Sequence, residues 1–214
     1  MTAIIFDLDG TLLYTIQDLA DSMNLVLKEE NLPTHPVQAY KLFVGEGIGK
    51  LVERALPQEA RIPARLARCQ KRMNEIYERR WNVTSRLYEG MEELLNALVQ
   101  KQIRLALFSN KPQEFTQKIV NSYLKKWTFE VALGATTLFP RKPDPQGALH
   151  IAATMKLSPG QFLYLGDSGT DMKTAKAAGM FAVGCTWGYR GTSELLSTGA
   201  QKIINHPGEL LALL

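Results

Sequence analysis

Apolar residues follow two rhythms along this chain. Residues 2–6 form a short apolar run that ends at Asp7, the pattern of a strand buried on both faces. The rhythm then becomes helical. Ile16, Leu19, Ala20, Met23, Val26 and Leu27 lie on one face of a predicted helix over 16–30. Ile48, Leu51, Val52, Ala55 and Leu56 mark a second helix, and Leu66, Cys69, Met73, Ile76 and Tyr77 a third. No segment between 17 and 81 reads as a strand. After Tyr88 short apolar runs alternate with helical stretches. Strands are predicted at 103–108, 129–133, 162–165 and 181–185, with a last edge strand at 202–204. Helices are predicted at 91–99, 115–123, 146–155, 172–178 and 209–213.

Strands alternating with helices predict a parallel sheet covered on both faces, a doubly wound, Rossmann-like α/β fold. The helical stretch after the first strand reads as an insertion. The expected division is an α/β core of residues 1–15 and 84–214 and an inserted helical domain of residues 16–83. Parallel sheets bind ligands at the carboxyl ends of their strands. Chemically active residues are therefore expected just beyond the apolar runs.

Four segments stand there. The first strand runs into D-L-D-G-T, which places Asp7 and Asp9 on either side of one leucine. Two carboxylates so spaced can divide the work, one as nucleophile or metal ligand and the other as acid or base. Alone, the same residues also make an ordinary solvated turn. The strand at 103–108 runs into S-N-K; Ser109 and Asn110 suit a phosphate cradle beside helix N–H groups, and equally a helix N-cap. In F-P-R-K-P-D-P, prolines stiffen the loop that carries Lys142, and Asp144 with Pro145 reads as a cap followed by the first helical residue. A lysine held this way can meet a phosphoryl group as a fixed charge, though an isolated loop lysine is ordinarily inert. The strand at 162–165 runs into G-D-S-G-T-D, with Asp167 and Asp171 near its tip. Carboxylates converging from two strand ends make a hard-oxygen site suited to magnesium, while Asp171 alone suits the first turn of a helix.

Composition changes this picture little. Hydrophobic residues make up 45% and charged residues 21% of the 214, which is globular and not disordered. Lysine and arginine number 25 against 21 acidic residues, a formal charge of +4 that fits a small anionic substrate without excluding nucleic acid. Arg61, Arg65, Arg68 and Arg72 fall at helical spacing and are expected to form a solvated basic face; a nucleic-acid surface is the competing reading. The two cysteines, Cys69 and Cys185, offer no disulfide framework. No apolar run is long enough to cross a membrane, and the opening M-T-A-I-I-F-D lacks a signal peptide's basic start. A cytoplasmic location is expected. Gly45, Gly47 and Gly49 do not make a phosphate-binding loop, because Leu51 follows Lys50 where serine or threonine is required.

The four segments occur in order at successive strand ends, and together they resemble the haloacid dehalogenase-like hydrolase superfamily. Its motifs match as Asp7-x-Asp9-Gly10-Thr11, Ser109, Lys142 and Gly166-Asp167-x-x-x-Asp171. The resemblance covers nearly the whole chain, and the helical insertion falls where that family carries a small helical cap. D-L-A-D-S-M-N, V-G-E-G-I-G, R-K-P-D-P and T-W-G-Y-R-G are similar to the phosphoglycolate phosphatase-like branch. Tyr14 departs from it, since many members carry an acidic residue there.

The resemblance implies a magnesium-dependent phosphatase acting on a small phosphorylated metabolite. Asp7 would attack phosphorus and form an aspartyl-phosphate. Asp9 would protonate the leaving alkoxide and then activate water. Magnesium would be held by Asp7, the backbone carbonyl of Asp9 and Asp167, with Asp171 supporting. Ser109, Asn110 and Lys142 would hold the phosphoryl oxygens. Lys50 and Arg54, in a loop region that the family turns toward substrate, are candidates to meet a substrate carboxylate. The dehalogenase branch and phosphonate-cleaving relatives lack the second aspartate of the first motif, so Asp9 favours an oxygen leaving group. A sugar phosphomutase or a pyrophosphatase on the same scaffold is the alternative.

Overall fold

In the computed structural model, which describes Met1–Leu214, the first apolar run is β1 (Ala3–Phe6). A short β2 (Leu13–Tyr14) follows, then the helices α1 (Ile16–Glu29), α2 (Val37–Phe43), α3 (Ile48–Ala55) and α4 (Pro63–Arg80). β3 (Arg86–Leu87) pairs with β2 in a two-stranded sheet. The alternating region contains α5 (Met91–Gln100), β4 (Arg104–Pro112), α6 (Gln113–Tyr123), β5 (Phe129–Ala135), α7 (Gln146–Thr154) and β6 (Phe162–Gly166). It continues through α8 (Gly169–Ala177), β7 (Phe181–Cys185), α9 (Thr192–Thr198) and β8 (Lys202–Ile204), and ends in the 3₁₀ turns Pro207–Leu213.

Internal contacts divide the chain into Met1–Leu13 with Leu87–Leu214, and Tyr14–Arg86. The first unit holds a six-stranded sheet in the order β5-β4-β1-β6-β7-β8. Every pairing is parallel. β1 and β6 have no exposed position, which is why their sequences are unbroken apolar runs. On one face Ile5, Ala106, Phe108, Phe162 and Tyr164 pack with Ile151 and Met172 of the covering helices.

The second unit is helical, as the apolar spacing predicts. Asp18 lies at its entrance and is buried. Its carboxylate accepts the N–H groups of Thr84 (2.9 and 3.1 Å) and Ser85 (2.9 Å) and the hydroxyls of both (2.7 Å each). Arg86 stacks on the Tyr14 ring, 4.5 Å from its centre. These contacts clamp the start of α1 to the chain leaving the unit. Asp18→Ala would leave buried N–H and O–H donors without an acceptor, and about 2–3 kcal/mol of stability is expected to be lost, read by urea denaturation.

Several elements differ from the sequence expectation. α2 and α9 were not expected, because each buries a single residue, Tyr40 and Leu195, and so carries no apolar period. The expected helix at 209–213 is 3₁₀. β4 continues through Pro112 instead of stopping at Phe108, since Ser109, Asn110 and Lys111 are buried although polar. Pro145 is the N-cap of α7 and not its first residue, while the Asp144 carboxylate accepts the Gln146 N–H at 2.9 Å. Arg61 precedes α4 and donates to the Leu56 carbonyl. Arg68 makes a two-pronged ion pair with Glu30, which caps α1, and Arg72 one with Glu29 at its last turn, so the supposed basic face is largely neutralised.

Candidate active site

The strand order reverses around β1, which is flanked by β4 and β6. In doubly wound sheets the crevice at that reversal, beyond the carboxyl ends, is where ligands bind. Asp7 leaves β1 and Asp167 leaves β6 at this point. The Asp7 N–H still bonds the Leu165 carbonyl at 2.9 Å, so the two strand tips stay in register up to the carboxylates. Gly10 turns the first loop at φ 93°, and any Cβ there would collide with the Asp167 carboxylate. Glycine thus lets the loop backbone close on the second acid.

Lys142 lies at the centre. Its ammonium donates to Asp7 Oδ1 (2.6 Å), Asp171 Oδ1 (2.6 Å) and the Phe108 carbonyl (3.1 Å). Its side chain is 3% exposed. The loop that delivers it is fixed by Asn110, whose amide donates to the Lys142 carbonyl (3.1 Å) and accepts the Lys142 N–H (2.8 Å). Asp171 is held from the other side by Ser168, whose hydroxyl and N–H reach Oδ2 at 2.6 and 3.2 Å, the capping box of α8. Asp167 accepts the Tyr189 N–H at 2.7 Å.

The charges are in tension. Asp7, Asp167 and Asp171 are all buried, with ligand oxygens within 4.8 Å of one another. Burial and the Asp171 charge raise the Asp7 carboxyl well above the ordinary range, against the pull of Lys142. Burial and Asp171 push Asp167 up to about 7, although the Tyr189 N–H pulls the other way. Burial disfavours the Lys142 charge, but Asp171 and Asp7 outweigh it and hold the ammonium protonated. Three carboxylates against one buried ammonium leave an excess of negative charge on hard oxygen atoms. That donor set fits a magnesium ion.

Of the residues singled out in the sequence, Asp7, Lys142, Asp167 and Asp171 meet in one cluster. Asn110 touches it through the backbone of Lys142. Ser109 is buried in the strand tip, where its hydroxyl oxygen accepts the Lys111 N–H at 3.1 Å. Asp9 faces Lys111, whose ammonium lies 3.0 and 3.1 Å from its two carboxylate oxygens. Lys111 was missed in the sequence: it stands in S-N-K, but nothing in the pattern shows that a lysine there is buried. Lys50 and Arg54 belong to the helical unit. Lys50 pairs with Glu53 at 2.7 Å, and Arg54 bonds Glu46 and the Phe43 carbonyl.

Known proteins are similar to this chain along most of its length. The model of the haloacid dehalogenase-like hydrolase family matches residues 4–185. A phosphoglycolate phosphatase of Nitrosospira multiformis is 32% identical over 205 residues, covering 94% of this chain and 90% of its own. One from Haemophilus influenzae (strain 86-028NP) is 32% identical over 215 residues, covering 98% and 96%. The crystal structure of a predicted phosphoglycolate phosphatase from Haemophilus somnus superposes with a TM-score of 0.89 at 28% identity, covering 100% of this chain and 97% of that one.

Proposed function

The chain belongs to the haloacid dehalogenase-like hydrolases and is a phosphatase, a phosphoric monoester hydrolase, and we propose that it cleaves a small phosphate ester such as 2-phosphoglycolate with the help of magnesium. The observation that carries this reading is the buried Asp7–Lys142–Asp171 cluster beside Asp167 at the reversal point of the sheet. The names of the relatives support the substrate.

Asp7 acts as the nucleophile. One of its carboxylate oxygens attacks phosphorus, the bond to the leaving oxygen breaks, and an aspartyl-phosphate forms. Asp9 donates the proton that the leaving alkoxide needs, then takes one from the water that hydrolyses the intermediate. Lys142 and Ser109 hold phosphoryl oxygens, and Asn110 keeps Lys142 in place. Asp7, the backbone carbonyl of Asp9 and Asp167 would hold magnesium, with Asp171 supporting. When bound, the ion offsets the negative charge of the phosphoryl group and of the carboxylates around it. The helical unit serves as an inserted cap. A cytoplasmic location suits its two buried, unlinked cysteines.

The test is phosphate release from a panel holding 2-phosphoglycolate, pyrophosphate, glucose 1-phosphate and nucleoside monophosphates. The highest kcat/KM is expected for 2-phosphoglycolate, with activity lost on chelation and restored by magnesium. Inactivity across the panel would refute the reading. Conversion of glucose 1-phosphate to its isomer faster than phosphate release would indicate a phosphomutase.

A further inference from the structure

We propose that Lys111 sets the substrate specificity of this site, its ammonium receiving the carboxylate of a phosphate ester whose leaving group is a small 2-hydroxy acid. The inference rests on the phosphatase reading above and deepens it by naming the group that reads the leaving portion of the substrate.

Lys111 is placed by the extended tip of β4, where side chains alternate between faces. Asn110 is directed to the Lys142 loop, and Lys111 follows it on the opposite side, toward Asp9. Its backbone is fixed, with its N–H on the Ser109 hydroxyl (3.1 Å) and its carbonyl accepting the Thr116 hydroxyl (3.3 Å). The side chain is 3% exposed while that of Asp9 is 20% exposed. A buried ammonium is costly unless anions face it. This one is therefore a built feature at the edge of the cluster, facing the partly exposed Asp9.

Geometry then restricts what it meets. If Asp9 is the acid, the leaving oxygen must come within about 3 Å of its carboxyl group. The Lys111 ammonium lies 3.0 and 3.1 Å from the same carboxyl oxygens. The ammonium is then within about 6 Å of the leaving oxygen. In the ester of a 2-hydroxy acid, the carboxylate is attached to the carbon that bears that oxygen. It therefore falls inside the reach of an ammonium with three donors. A plain alcohol or an uncharged sugar puts no anion there. What distinguishes Lys111 from the other lysines and arginines singled out is that its partner is Asp9, the acid that faces the leaving oxygen. Lys142 bridges Asp7 and Asp171, and Lys50 and Arg54 face Glu53 and Glu46.

The experiment compares 2-phosphoglycolate with the phosphate ester of glycolamide, which has the same shape without the carboxylate charge. The parent protein is expected to prefer the acid by about 100-fold in kcat/KM. Lys111→Met should reduce that preference to less than about 5-fold, and Lys111→Arg should keep most of it. A preference left unchanged in Lys111→Met overturns the proposal, because a lysine that only orients Asp9 affects both esters alike. Should Lys111→Met fail to fold, Lys111→Gln makes the same comparison with a polar, neutral side chain. If the parent hydrolyses both esters equally, the phosphatase reading stands and this inference falls. If it hydrolyses neither, 2-phosphoglycolate is not its substrate, and this inference falls together with that substrate reading.

Discussion

Asp7→Asn is expected to give a folded protein whose turnover falls by at least about 10,000-fold. The amide keeps the volume and shape of the carboxylate but is no nucleophile, so the covalent step has no route. The fold should tolerate the change. Burial and the Asp171 charge already disfavour ionised Asp7, so a neutral side chain removes a repulsion along with the Lys142 contact. Stability is expected to remain within about 1 kcal/mol of the parent. Phosphate release under single-turnover conditions, with thermal melting alongside, decides the matter. A variant that keeps a hundredth of the parent rate would remove Asp7 from the nucleophile's place.

Legibility in the sequence followed burial. β1, β6 and β7 are covered on both faces by apolar side chains, so their runs mark both position and neighbours. β4 is equally interior, but its last residues are polar and buried, so the pattern stops before the strand does. Asp7 and Asp167 were legible because each stands at the end of an apolar run, and Asp171 because it lies one short loop further on. Their partners were not. Lys142 was identifiable as a candidate, yet its position between Asp7 and Asp171 depends on a loop anchored by Asn110, a contact 32 residues away in sequence. Lys111 pairs with Asp9 across 102 residues, and no local period encodes such a pairing. Asp18 has the same character: its acceptors' partners, Thr84 and Ser85, arrive only after the whole helical unit has been traversed. Local pattern reports which face is apolar. It does not report which buried polar groups satisfy one another, and those contacts set the chemistry.

Lys142→Met should be inactive and also unstable, with an instability that depends on pH. Removing the ammonium leaves Asp7 and Asp171 buried without their shared cation, and loss of one partner from a buried charge cluster costs about 3–5 kcal/mol. The pH dependence follows from the direction of the carboxyl shifts. A carboxyl raised in the folded state holds its proton more tightly there than in the unfolded chain. The stability it contributes is complete below the unfolded value of about 3.9, and it is lost as pH rises through the folded value. Asp167, raised to about 7, and Asp7, also raised, impose this fall on the parent protein. Lys142 limits it at Asp7 by favouring the charged form. Without the lysine the fall is deeper. Urea denaturation near pH 8 should therefore show most of the loss of about 3–5 kcal/mol, and near pH 5 less, because burial favours the protonated forms of Asp7 and Asp167 as the pH falls. Equal destabilisation at both values would mean that the lysine stem supports the fold by packing, and that its charge is not what balances the acids.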